Sequence, residues 1–523
     1  MQAVSAEATA GGGLSWRRRA LFALLTLALF AAVLEAALRV AVPDARGGRL
    51  SVSRGFSPDA TYIVPDPARP GWWHTQMNGA EAPEVVVPPK GRALRVAMFG
   101  GSNVAGFHAG QLQQALCEQL PDPGFEVVNL GRSGYGSERE LILLEQALVL
   151  KPDIVLIYSG HNEFVEGGFA LELSQSWRPS IVRVVDALLG LRTVGAAVDL
   201  LRGGGEPERL PEARRPRRKI FDDMTPERAA VFYDVYRDNL GAMIDAARAA
   251  GARVLLATVV SNLFDPPYVS NPPGNWDESR RAALNAARDR MLALVPARLS
   301  FGLVPEGPGL RWPHPRTEDW GENLTPAQRD ERRAQAGPDV VAPALRPCTG
   351  VLAAAPFWTD PALWTPKVAD AVAAFGRVCA RELSDDERAS LRAAMAAGDD
   401  VLALCPDDPT TLYAQGLCTY MLGEDDARAA VLLRAAASAD RAPTKGNDLT
   451  NGIVRELAAA HAADTGVRFL DMDEVFRARC PQGLAGYEIM LDGCHLHPAA
   501  RLILVDDFVP ALVELGRQTL AER

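Results

Sequence analysis

The chain has 523 residues, of which 48% are hydrophobic, and a formal net charge of −10. At roughly 100–200 residues per domain this exceeds one simple domain, and the apolar content suffices for a packed core. The acidic balance excludes a general nucleic-acid binder, which needs clustered basic residues.

Arg17, Arg18 and Arg19 precede an apolar run from Ala20 to Leu34, which continues past Glu35 through Leu38. About 19 helical residues match the ~30 Å hydrocarbon core of a bilayer. Residues 20–41 therefore read as a transmembrane anchor or a signal sequence. No small-x-small cleavage pattern precedes Pro43, which favours the uncleaved anchor. The arginines place residues 1–19 in the cytoplasm. The expectation is a single pass through a bacterial inner membrane, with the body periplasmic. That compartment permits disulfides among the seven cysteines, and the odd count leaves at least one free. Their spacing matches no metal site.

Residues 42–92, rich in Pro and Gly, read as an irregular linker arm. A β/α alternation follows. Strands are predicted at Ala93–Phe99, Phe125–Leu130, Asp153–Tyr158, 253–260 and 467–472. The intervening helices are predicted to about Leu120, at Glu138–Leu150, Pro226–Ala250 and Thr450–Ala463, and after the last loop. Near-continuous apolar strands separated by helices predict a parallel sheet covered on both faces. One α/β domain is thus formed by residues 93–264 and 446–523, split by an insertion at 265–445. The insertion reads as irregular over 297–375 and as Ala-rich helices over 385–440. Residues 409–440 resemble a single tetratricopeptide repeat, with Gly416, Gly423 and Ala435 near the small positions; an ordinary helical hairpin fits equally well. A protein partner docking there is an expectation. The apolar stretch 181–201 reads as a lid, an acyl-chain wall or core. The basic run 213–219 reads as a solvated loop.

Functional residues in such sheets sit at the carboxyl ends of strands. "VAMFGGSNVAG" (96–106) ends a strand on Gly100-Gly101-Ser102. The next two strands run into "NLGRSGYGS" (129–137) and "SGHNEF" (159–164), and Asp492-Gly493-Cys494-His495 precedes the last helix. Taken singly, Ser102 fits a helix cap, Gly134 a turn and Asn162 a loop cap. No Lys follows the glycines and no acid ends the second strand, so nucleotide-loop readings fail.

In this order, Ser102, Gly134, Asn162 and the Asp492-x-x-His495 pair resemble the SGNH/GDSL hydrolase superfamily. The resemblance implies a flavodoxin-like three-layer α/β/α sandwich around a central parallel sheet. It implies a serine esterase acting through an acyl-enzyme. Serine is a poor nucleophile without a base, and His495 would be that base. Asp492 would orient the imidazole and stabilise its charged form. The N–H groups of Ser102 and Gly134 and the Asn162 amide would hold the oxyanion. No metal or cofactor is implied. The substrate would be an acyl ester, with acylated envelope polysaccharide or lipid as candidates. The same residues would serve an O-acyltransferase on envelope polysaccharide. A reading of another class is a helical-repeat scaffold with a silent hydrolase domain. His497 competes with His495, but the three-residue spacing from Asp492 and the five-residue distance to Ala500 select His495. His161 reads as structural and Glu163 as a loop brace. Gly101 and Asn103 replace the Asp and Leu of the family's usual Gly-Asp-Ser-Leu spelling.

Overall fold

The computed structural model describes residues 16–41, 61–75, 85–107, 109–167, 193, 224–268, 275–295, 304–306, 309–311, 383–480, 483–486, 489–490, 492–496 and 500–523. The chain forms two units: residues 1–61 with 173–211, and residues 62–172 with 212–523.

In the first unit, helix α1 spans Trp16–Ala41. Its Glu35 carboxylate accepts hydrogen bonds from the Thr193 N–H (2.9 Å) and hydroxyl (3.1 Å). The helix forms where it was expected, but among the described residues no helix is long and apolar enough to cross a membrane. This corrects the transmembrane expectation: the apolar run is headed by arginines and interrupted by Glu35, which is engaged by Thr193. The rest of 181–201, and all of 213–219, lie outside the described residues.

The second unit is built on five parallel strands: β4 (Leu94–Gly100), β5 (Phe125–Asn129), β6 (Ile154–Tyr158), β7 (Arg253–Ala257) and β10 (Val467–Leu470), in the spatial order β10-β7-β6-β4-β5. In chain order this is 2-1-3-4-5, the flavodoxin-like arrangement. Strands β4, β6 and β7 are buried at every residue, as strands covered on both faces must be. Leu94, Val96, Met98, Ile154, Leu156 and Leu255 pack against Leu112 and Leu116 of α3 (Ala109–Gln119) and against Leu504, Phe508 and Leu512 of the last helix, α12 (Ala500–Glu522). Helices α4 (Ser137–Ala147), α5 (Pro226–Ala249) and α10 (Asp448–Ala460) pack together as a second group, with Leu144, Leu240, Ile244 and Val454 buried. Strand β10 is shorter than the apolar run suggests. Asp471 ends it by capping α11 (Met472–Arg479), a helix not foreseen, accepting a hydrogen bond from the Glu474 N–H at 3.2 Å.

The linker arm is not wholly irregular. β1 (Ile63–Pro65), β2 (Trp73–Thr75) and β3 (Val86–Val87) form an antiparallel sheet. It is fastened to the body where the Gln146 side-chain oxygen accepts the Tyr62 N–H at 2.7 Å.

Inside the insertion, α6 (Glu278–Ala293), α7 (Asp385–Leu404), α8 (Pro409–Leu422) and α9 (Asp426–Ala439) share a core with Leu263 and Phe264. The two short strands β8 (Val304–Glu306) and β9 (Gly309–Arg311) pair as a hairpin. The helix-turn-helix over 409–440 is present, but the tetratricopeptide resemblance is not supported. Helix α8 is buried around nearly its whole circumference; it is the centre of a bundle rather than one face of a stacked repeat. Among the described cysteines, Cys117, Cys405, Cys418 and Cys494 are free thiols. Cys348 and Cys379 lie outside the described residues.

The bundle is pinned by an ion pair between Arg288 and the fully buried Asp408 (Arg288 Nε–Asp408 Oδ2 3.1 Å). Asp408 also caps α8 through the Thr411 N–H at 2.9 Å. Removing one member of a buried pair strands the other charge. Asp408→Ala is expected to destabilise the protein by about 3 kcal/mol in urea unfolding; a change under about 0.5 kcal/mol would contradict this reading.

Candidate active site

Strand β4 lies between β5 and β6, so the chain leaves it toward opposite sides of the sheet. At such a switch point the carboxyl ends of neighbouring strands open a crevice. Ser102 opens the short helix α2 (Ser102–Ala105) directly after β4. Gly134 follows β5, Asn162 follows β6, and the Asp492–His495 loop is held beside the end of β7. Asn262, five residues beyond β7, donates its side-chain amide to Asp492 O at 3.1 Å and its N–H to Gly493 O at 3.0 Å.

The structure brings Ser102, His495 and Asp492 into one hydrogen-bonded row. Ser102 Oγ lies 2.7 Å from His495 Nε2, and His495 Nδ1 lies 2.7 Å from Asp492 Oδ2. Asp492 Oδ1 accepts the N–H groups of Cys494 and His495, both at 2.8 Å. Against the penalty of burial, these bonds and the His495 side chain hold the Asp492 carboxyl below its usual range. The Cys494 sulfur, 3.6 Å from Nδ1, and the Asp492 carboxylate both raise the His495 pKa. The carboxylate is the charged partner near neutrality, because burial pushes the Cys494 thiol up. An imidazole held this way is oriented to accept a proton from Ser102.

Among the described residues, neither the Ser102 N–H nor the Gly134 N–H has an acceptor. Gly134 has φ +73°, a left-handed conformation that favours glycine. The Asn162 side-chain nitrogen spends one proton on Tyr135 O at 2.8 Å, which orients the other. A Cβ on Gly101 would stand 2.4 Å from that nitrogen, so only glycine lets the amide come this close to Ser102. Three unspent donors, following the neighbouring strands β4, β5 and β6, are the kind of group that stabilises a developing oxyanion.

The surrounding brace was only partly legible in the sequence. Glu163 accepts the Ser137 hydroxyl at 2.6 Å, tying the Asn162 loop to the start of α4 as expected of a brace. Arg139 pairs with Glu166, donates to Gly134 O at 2.5 Å and lies over the Tyr135 ring at 4.0 Å. His161 is buried, with a pKa pushed down to about 3 by burial, and its Nδ1 accepts the Gly446 N–H at 2.9 Å. It is therefore neutral and serves structure. His497 lies outside the described residues.

Sequence reasoning missed Asn103. Its side-chain nitrogen donates to Cys494 O at 2.6 Å and its oxygen accepts the Leu496 N–H at 3.1 Å, so it grips the chain on both sides of His495. Its place beside Ser102, at a position where the resembled family spells Leu, was the available signal.

A family model described as GDSL-like Lipase/Acylhydrolase matches residues 98–306. The match takes in Ser102, Gly134 and Asn162 and stops short of Asp492 and His495. Among solved structures, a GDSL-like lipase from Bacteroides thetaiotaomicron VPI-5482 is 16% identical, covering 47% of this chain and 87% of that one at a TM-score of 0.16. An inferred acylhydrolase from Bacteroides fragilis NCTC 9343 is 15% identical, covering 49% and 90% at a TM-score of 0.17. At these TM-scores neither likeness carries an argument. No curated protein matches the chain.

The buried Asp492 contact predicts that the His495 ring titrates above 6.5, the ordinary imidazole value. In an NMR titration, Asp492→Asn is expected to lower that midpoint. A wild-type midpoint at or below 6.5, or one unmoved by Asp492→Asn, would count against the coupling.

Proposed function

We propose that this chain, whose residues 98–306 match the GDSL-like lipase/acylhydrolase family model, is a serine esterase using Ser102, His495 and Asp492. The observation that carries the reading is the pair of 2.7 Å contacts joining the three side chains. A silent scaffold domain gives no reason for a serine and an imidazole 393 residues apart to meet in that geometry.

In the proposed reaction Ser102 Oγ attacks the ester carbonyl as its proton passes to His495 Nε2. Asp492 stays ionised and stabilises the imidazolium. The Ser102 and Gly134 N–H groups and the free Asn162 proton receive the oxyanion. Collapse breaks the bond to the alcohol, which leaves with the proton from His495. Water then attacks the acyl-serine, giving its proton to His495, and the carboxylic acid departs as Ser102 is restored. The steps use the three side chains of the row, the oxyanion donors and water.

A p-nitrophenyl ester assay tests this. Ser102→Ala is expected to fall to the background rate. Gly101→Ala, which displaces the Asn162 amide, is expected to lose ~10²–10³ in kcat, the usual loss for one oxyanion donor. Wild-type turnover retained by Ser102→Ala would sink the proposal.

For localisation we infer attachment to a bilayer surface through α1. Supporting this, Leu21, Phe22, Leu25, Leu29, Phe30 and Val33 are all exposed, a row of apolar side chains that water disfavours. Membrane fractions of producing cells should retain the full chain, and Leu25→Glu with Leu29→Glu should release it; a soluble wild type would contradict the inference.

A further inference from the structure

Arg132 stands in the loop after β5, two residues before Gly134. Its N–H donates to Gly100 O at 2.9 Å, fastening its backbone to the end of the strand that presents Ser102. Its Nη1 donates to the neighbouring Gly131 O at 2.6 Å. Gly131 in turn packs on the nucleophile's helix so closely that an added Cβ would lie 2.5 Å from Ala105 N. The side chain is held in the fabric of the site rather than free in solvent; the residue is only 8% exposed.

The other end of the guanidinium has nothing to bind. Nη2 is buried without a hydrogen-bond partner, and among the described residues no carboxylate lies within ion-pair distance of Arg132. Arg95 is matched with Glu126, Arg139 with Glu166 and Arg288 with Asp408; Arg441 also has partnerless nitrogens, but it is buried close to the carboxylates of Asp440 and Asp407. Burial pushes the Arg132 pKa down to about 10, so it remains charged near neutrality. A buried, uncompensated charge is strongly unfavourable. Such a group persists where a ligand supplies the counter-charge, and guanidinium is suited to carboxylates.

We propose that Arg132 is a substrate-binding residue: its free Nη2 takes a carboxylate carried by the ester, so the enzyme selects anionic esters. This rests on the esterase reading of Ser102. The structural role alone, pinning Gly131 O, needs no ligand and gives no charge preference.

The test uses the full chain and two matched pairs: monoethyl succinate against ethyl butyrate, with the charge on the acyl side, and O-acetylglycolate against ethyl acetate, with the charge on the alcohol side. In at least one pair, wild-type kcat/KM should favour the anion by tenfold or more. That ratio should fall by at least tenfold in Arg132→Gln and be restored in Arg132→Lys; Arg132→Met replaces the glutamine variant if melting shows that it does not fold. The pair that responds tells which side of the ester carries the anion. Ratios near one in both wild-type pairs, or a ratio unmoved by the substitution, overturn the proposal. If no ester is turned over above the Ser102→Ala background, the esterase reading fails instead. Calorimetry with succinate then decides on Arg132: binding lost in the glutamine variant upholds the anion site, and binding absent or equal overturns it.

Discussion

Asn103 is the side chain on which the site's assembly turns. Ser102 and His495 are 393 residues apart in sequence, and one hydrogen bond between half-buried side chains would not hold them together. The Asn103 amide binds Cys494 O and the Leu496 N–H, treating the loop around His495 as a strand partner. Because Asn103 is covalently next to Ser102, positioning it positions the hydroxyl. Its burial removes competing water from both bonds, which is where amide hydrogen bonds are least expendable. Asn262 grips the same loop one turn earlier, from the end of β7. The Met490–Leu496 bridge closes it.

The proposed oxyanion side follows the same logic of backbone held by buried side chains. Arg139 holds the Gly134 carbonyl and covers Tyr135, while Tyr135 O orients the Asn162 amide. The acids behind this loop are crowded. Glu163 is pushed up to about 8 by burial, and Glu140, fully buried beside it, is raised as well. Arg139 pairs with Glu166. The result is a loop whose donors are fixed before any substrate arrives, which is what electrostatic stabilisation of a transition state requires.

The sheet was readable because its strands are mostly apolar, and apolar strands between helices admit few arrangements. The segments bearing Ser102, Gly134, Asn162 and His495 were readable because glycines and polar residues interrupt the strands at their ends. What failed to read was set by tertiary contact. β1–β3 are too short to show a period. β10 ends where Asp471 finds a helix to cap, and α8 became a bundle centre rather than a repeat. α1 was read from apolarity alone, without the contact between Glu35 and Thr193. Gly101 and Asn103 looked like departures from a familiar spelling. In three dimensions one makes room for the Asn162 amide and the other clamps the His495 loop, relations across 61 and 391 residues that no local pattern expresses.

The central claim is that His495 activates Ser102. Reaction with a fluorophosphonate, followed by intact-mass and peptide mapping, reads it most directly. The account predicts one adduct, on Ser102, formed in the wild type and suppressed by at least a hundredfold in rate in His495→Ala. An adduct on another residue, or equal labelling of Ser102 without the imidazole, would contradict it.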